Sequence, residues 1–118
     1  MVNAIITAVL AGIISASPVQ GYVDIGTCRI TEYCPVCNDG AGHESASGAY
    51  LRYGHAACSW LPYGTVIDIE GDEFVVVDTC GTDAIDIFID DNSGACHCNL
   101  NEYKRVTVRT KNRLKIHW

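Results

Sequence analysis

The stretch VVVDTCGTDAIDIF, residues 75 to 88, sets two acids, Asp78 and Asp86, among Val, Ile and Phe. A carboxylate buried without a partner is costly, so such acids face a groove or solvent, or are held for a purpose. Two carboxyl groups sharing one surface beside an aromatic ring such as Phe88 have their pKa values pushed apart. One of them then keeps its proton and can act as a general acid. Cleavage of a glycosidic bond is the chemistry that uses this arrangement. The same pattern also fits two turn-flanking acids on a solvated rim.

Strand alternation decides where these acids point. In Ala84 to Asp90 the three isoleucines, Ile85, Ile87 and Ile89, share one face, and Asp86 shares the other with Ala84, Phe88 and Asp90. If residues 79 to 83 join antiparallel neighbours, Asp78 stands across from Ala84 and diagonal to Asp86, with Cβ atoms roughly 7–8 Å apart. Strand-like runs rich in Val, Ile and aromatic residues cover Thr27 to Tyr33, Thr65 to Glu70, Glu73 to Asp78, Ala84 to Asp90 and Arg105 to Thr110. Gly71 and Asp72 between two of these runs suit a two-residue hairpin. Residues 38 to 54 are rich in Gly, Ser and Ala and read as a long loop, a kind that is usually functional or tied down. Short strands at this spacing, with almost no helical periodicity after the first segment, predict an all-β barrel or sandwich.

Seven cysteines, Cys28, Cys34, Cys37, Cys58, Cys80, Cys96 and Cys98, follow an apolar N-terminal segment. This density fits an exported, disulfide-stabilised domain, with the odd thiol free or open to an intermolecular disulfide. Cys34-Pro-Val-Cys37 with Cys96-His97-Cys98 has some look of a zinc site, but C-x-C is not the usual second knuckle and export favours disulfides, so no metal and no cofactor are expected. The run Asp90 to Gly94 lacks the glycine placement of a calcium loop. His55 near Cys58 raises a cysteine nucleophile without any oxyanion-hole motif to accompany it. Trp60, Tyr33, Tyr50, Tyr53 and Tyr63 offer faces for stacking on sugars or for packing.

The 118 residues allow one domain. Residues 1–21 read as a signal peptide, with an uncleaved anchor or an N-terminal strand as alternatives, residues 22–110 as the domain, and 111–118 as a basic tail. Of the eight Lys and Arg, six lie in the last fifteen residues, whereas all fourteen acids lie between Asp24 and Glu102. A body this acidic argues against nucleic acid, whose phosphates require a basic face. The expected place is extracytoplasmic, secreted or associated with the cell wall.

Four segments in order resemble the three-aspartate (3D) domain of bacterial wall proteins, related to the catalytic barrel of the membrane-bound lytic transglycosylase A family. ITEYCPVC (residues 30–37) is similar to the family's opening T-A-Y-C-P strand, and SASG (45–48) to its T-A-S-G. LPYGTVIDIEG (61–71) is similar to P-L-G-T and the strand that follows, and VVVDTCGTDAIDIF to V-x-x-D-T-G…R-I-D-I-Y. The resemblance implies a six-stranded double-psi β-barrel acting on the MurNAc–GlcNAc bond of peptidoglycan without water. It puts Asp86 on the catalytic acid, Asp78 on a supporting aspartate, and Ser45 and Ser47 on the loop that lines the groove; Tyr33, through its stacking face, is a further candidate substrate contact. The family's third aspartate falls on Cys58, the glycine after D-T is Cys80, and the segment between the two acids is shorter and lacks a basic residue. The joint appearance of Cys58 and Cys80 implies a disulfide between them.

The resulting expectation is a monomeric lytic transglycosylase bound to peptidoglycan glycan strands. The alternative is a non-catalytic, expansin-like barrel that binds wall glycan without cutting it.

Overall fold

Six strands follow one another along the chain: β1 (Tyr22–Tyr33), β2 (His55–Ala57), β3 (Val66–Ile69), β4 (Asp72–Asp78), β5 (Ile85–Phe88) and β6 (Asn101–Arg109). This computed structural model describes residues 21–110, so the leader (all but Gly21) and the basic tail lie outside the described residues. Among the described residues there is no helix. The strands close into a barrel in the order β1-β5-β2-β4-β3-β6, with β6 returning to β1. Closure pairs every strand on both sides and leaves no exposed edge.

Five of the six strands overlap the expected runs of Val, Ile and aromatic residues, with β1 starting at Tyr22 rather than Thr27 and β6 at Asn101 rather than Arg105. The sixth, β2, is only three residues, HAA, too short to show a pattern. Its position corrects the expected neighbour relation of the two acids. β2 lies between β4 and β5, parallel to the first and antiparallel to the second. The link from residue 79 to 84 therefore crosses the end of β2 instead of forming a hairpin, held by the Ser59 hydroxyl on Thr82 O (3.1 Å) and the Trp60 indole on Asp83 O (2.9 Å). The physical reason is burial: β2 brings Ala56 between Val76 and Ile87 in the barrel core.

The β3–β4 hairpin is present one residue earlier than the sequence pattern indicates. Its loop is Glu70-Gly71, both with positive φ (55° and 94°), closed by the Ile69–Asp72 pair. Two successive left-handed residues match the twist of the flanking strands. Asp68 Oδ1 accepts the Gly71 N–H at 2.9 Å and fixes the turn.

The interior holds Ile30, Ile67, Val76, Ile85 and Val106, each with no exposed surface, together with Ala56, Cys58, Ile69 and Ile87. Each large apolar side chain buried this way contributes about 1.5–3 kcal/mol. A second cluster, Tyr33, Leu51, Ala57 and Phe88, sits outside the β1–β5–β2 wall, under the loop of residues 38–54. That loop is the lid of the smaller core. Leu51 is fully buried in it, and His43 stacks on Tyr50 at 4.7 Å, meets Phe88 edge-on at 5.7 Å and bonds Asp90 at 2.9 Å.

Candidate active site

The outer cluster carries both acids, and they arrive by different routes. On β5, plain alternation sends Ile85 and Ile87 inward and Asp86 and Phe88 outward, as the sequence pattern indicates. On β4 alternation alone would turn Asp78 inward with Val76. A register shift between Ala56 and Ala57 prevents this, because Ala57 pairs with Asp78 and Val77 is left as the extra residue. Such a bulge re-aims the side chain that follows it. Asp78 thus joins Val77 on the outer face, and Asp78, Ala57 and Asp86 form one row across three strands. With strands spaced about 4.8 Å apart, the two acidic Cα atoms stand roughly 10 Å apart. The expected adjacency on neighbouring strands is replaced by a shared face with Ala57 between.

The two carboxyl groups are differently occupied. Asp78 is 6% exposed and accepts three hydrogen bonds: from Ala46 N–H (2.7 Å), Thr79 N–H (2.9 Å) and the Tyr33 hydroxyl (2.9 Å). It clamps the SASG loop to the barrel. Asp86 accepts one, from the Thr31 hydroxyl at 2.9 Å, its strand partner on β1. Burial raises the Asp86 pKa above the ordinary carboxylate value. The Thr31 hydrogen bond opposes this rise, and the Asp78 charge adds to it. Arg29, which draws Asp86 the other way more weakly, is itself turned to Asp83 at 3.8 Å.

Asp86 opens into a cavity of about 370 Å³ whose wall includes Tyr33, Asn38, Ala57, Cys80 and Gly81. Tyr33 joins the two acids: its ring packs edge-on against Phe88 at 5.3 Å, its hydroxyl donates to Asp78, and its side chain lines the cavity. Burial and the Asp78 hydrogen bond push the phenol pKa well up, so Tyr33 keeps its proton as a donor. A half-buried acid with a raised pKa, a second oxygen that accepts no hydrogen bond among the described residues and an open cavity beside it is the equipment of a proton donor.

The sequence-predicted residues separate accordingly. Asp86 and Tyr33 meet at the cavity, and Asp78 stands behind Tyr33. The hydroxyls of Ser45 and Ser47 are used within their own loop, Ser45 on Ala49 O (2.7 Å) and on Ser47 (3.1 Å). The Ala46 N–H, rather than either serine hydroxyl, orients an aspartate. Tyr50, Tyr53, Trp60 and Tyr63 are exposed; Trp60 lies in a second hollow, with Arg29 and Tyr103. Thr31 was missed, because its role follows only from the parallel β1–β5 register.

No disulfide is formed in this structure: none of the seven cysteines is bonded to another. Cys58 and Cys80 are not bonded to each other and pack into different clusters. Cys58 belongs to the barrel interior and Cys80 to the outer cluster. Compared with known proteins, the chain matches no family model, no curated protein and no solved structure.

Proposed function

We propose that the chain is a peptidoglycan lytic transglycosylase of the 3D-domain kind, acting outside the cytoplasm on the MurNAc–GlcNAc bond. The observation that carries this reading is Asp86, held toward its protonated form by burial and facing a cavity. Asp86 gives its proton to the glycosidic oxygen as the bond to the sugar C1 breaks. The resulting carboxylate takes the proton of the sugar's own 6-hydroxyl as that oxygen closes onto C1, and a 1,6-anhydro ring forms. One acid serves both steps because the nucleophile belongs to the substrate, whereas hydrolases need two carboxylates. Asp78 and Tyr33 are positioning residues, keeping the cavity wall and the SASG loop in place. A double-psi arrangement of the barrel is part of the proposal. The two parallel pairs, β1 with β5 and β2 with β4, support it.

Product analysis tests the reading. The full chain incubated with purified peptidoglycan should release anhydro-muropeptides, lighter by one water than hydrolytic products. Hydrolytic products would overturn the mechanism. A folded protein that pulls down with wall and releases nothing would assign the expansin-like, non-catalytic alternative.

A further inference from the structure

Four cysteines come together where none of the glycan chemistry needs them. Cys34 and Cys37 follow the end of β1, and Cys96 and Cys98 belong to the segment between β5 and β6. Their four sulfurs lie within 4.8 Å of one another. The separations from Cys37 Sγ are 3.8 Å to Cys34 and 3.9 Å to Cys98. A disulfide would need about 2.05 Å. Sulfurs each about 2.3 Å from a central ion in a tetrahedron stand about 3.8 Å apart, which the two separations from Cys37 match.

The backbone is arranged for the same end. Cys34 N–H donates to Cys37 Sγ at 3.2 Å, and the N–H groups of Val36 and Cys37 turn towards Cys34 Sγ. Such donors stabilise metal-bound sulfur from outside the coordination shell. The C-x-C half, unusual as a knuckle, works here because residues two apart in a non-helical segment point to the same side. His97, between them, is turned away to Asp91 (2.8 Å), so the donor set is four sulfurs.

We propose that Cys34, Cys37, Cys96 and Cys98 bind one structural zinc ion. This replaces the expectation of no metal, and it stands independently of the transglycosylase reading. Four soft sulfurs in a closed tetrahedral set select zinc and leave no open position for substrate. Binding exchanges the thiol protons for Zn²⁺ with no change of oxidation state. The ion staples the exit of β1 to the β5–β6 connection, which Glu32 already fastens by accepting the N–H groups of Asn99 (2.8 Å) and Leu100 (3.1 Å). Because Cys37 also lines the Asp86 cavity, the metal fixes one rim of that cavity.

Native mass spectrometry and metal analysis of the full chain, isolated without chelator, test the assignment. The expected result is one zinc per chain, released by a chelator with a fall in melting temperature. Cobalt(II) exchanged into the site should give the intense sulfur-to-metal charge-transfer bands of a tetrahedral thiolate centre. Cys98→Ser should weaken zinc binding by more than the about 10–100-fold that loss of an outer-shell partner costs. Cys80→Ser, outside the cluster, should keep one zinc. A metal-free chain four hydrogens lighter, carrying two disulfides, would overturn the proposal, as would a reduced chain that takes up neither zinc nor cobalt, or one that holds iron.

Discussion

Asp78 is the strongest test of how the site is held, because one carboxylate there joins three parts of the chain. Asp78→Asn keeps an oxygen for Ala46 and Thr79 but turns an amide towards the Tyr33 hydroxyl, and it removes the charge from all three bonds. A hydrogen bond to a charged group is worth about 1.5–3 kcal/mol and a neutral one about 0.5–1.5, so three such downgrades amount to about 3 kcal/mol. Tyr33→Phe removes only one bond and should cost about 1–2 kcal/mol by the same reckoning. Because both changes strike the same contact, the double variant should be less destabilised than the sum, with a coupling of about 1 kcal/mol. Urea unfolding gives these differences, and amide hydrogen exchange reports locally on Ala46, whose protection should fall in Asp78→Asn. A loss below about 0.5 kcal/mol, with the Ala46 amide still protected, would refute the idea that Asp78 anchors the SASG loop. Strict additivity with Tyr33→Phe would refute the hydrogen bond between them.

Asp86 carries a signature in pH. Its folded pKa is raised, so its contribution to stability is complete below the ordinary carboxylate range and is lost as pH rises through the folded value. Asp86→Asn cannot ionise and should gain stability relative to the parent towards neutral pH, the gain vanishing in acid; melting curves across that range would contradict this if the difference stayed constant. Gly71→Ala isolates a backbone cost, since an added Cβ would meet nothing within 4 Å while φ stays at 94°. It should destabilise by about 1–2 kcal/mol in denaturant unfolding, and an unchanged midpoint would contradict the left-handed turn.

The parts of the fold legible in the sequence were those with a local cause. Alternation in AIDIF put Asp86 on the face opposite its isoleucines, and the Gly71 turn signal located the β3–β4 hairpin to within one residue. What escaped depends on contacts distant in the chain. The strand β2 is defined by its neighbours rather than by its three residues, and without it β4 and β5 read as adjacent. The bulge that turns Asp78 outward leaves no mark in VVVD. The cysteines are a further instance: composition suggested disulfides, whereas the convergence of residues 34, 37, 96 and 98 exists only once the barrel closes.

The central claim is that the Asp86 proton breaks the glycosidic bond. The most direct measurement compares the parent chain with Asp86→Asn on purified peptidoglycan, with products resolved by mass spectrometry and folding of both verified by circular dichroism. The parent should release anhydro-muropeptides, and a folded Asp86→Asn that still binds wall should release none. Equal product from the two would contradict the claim.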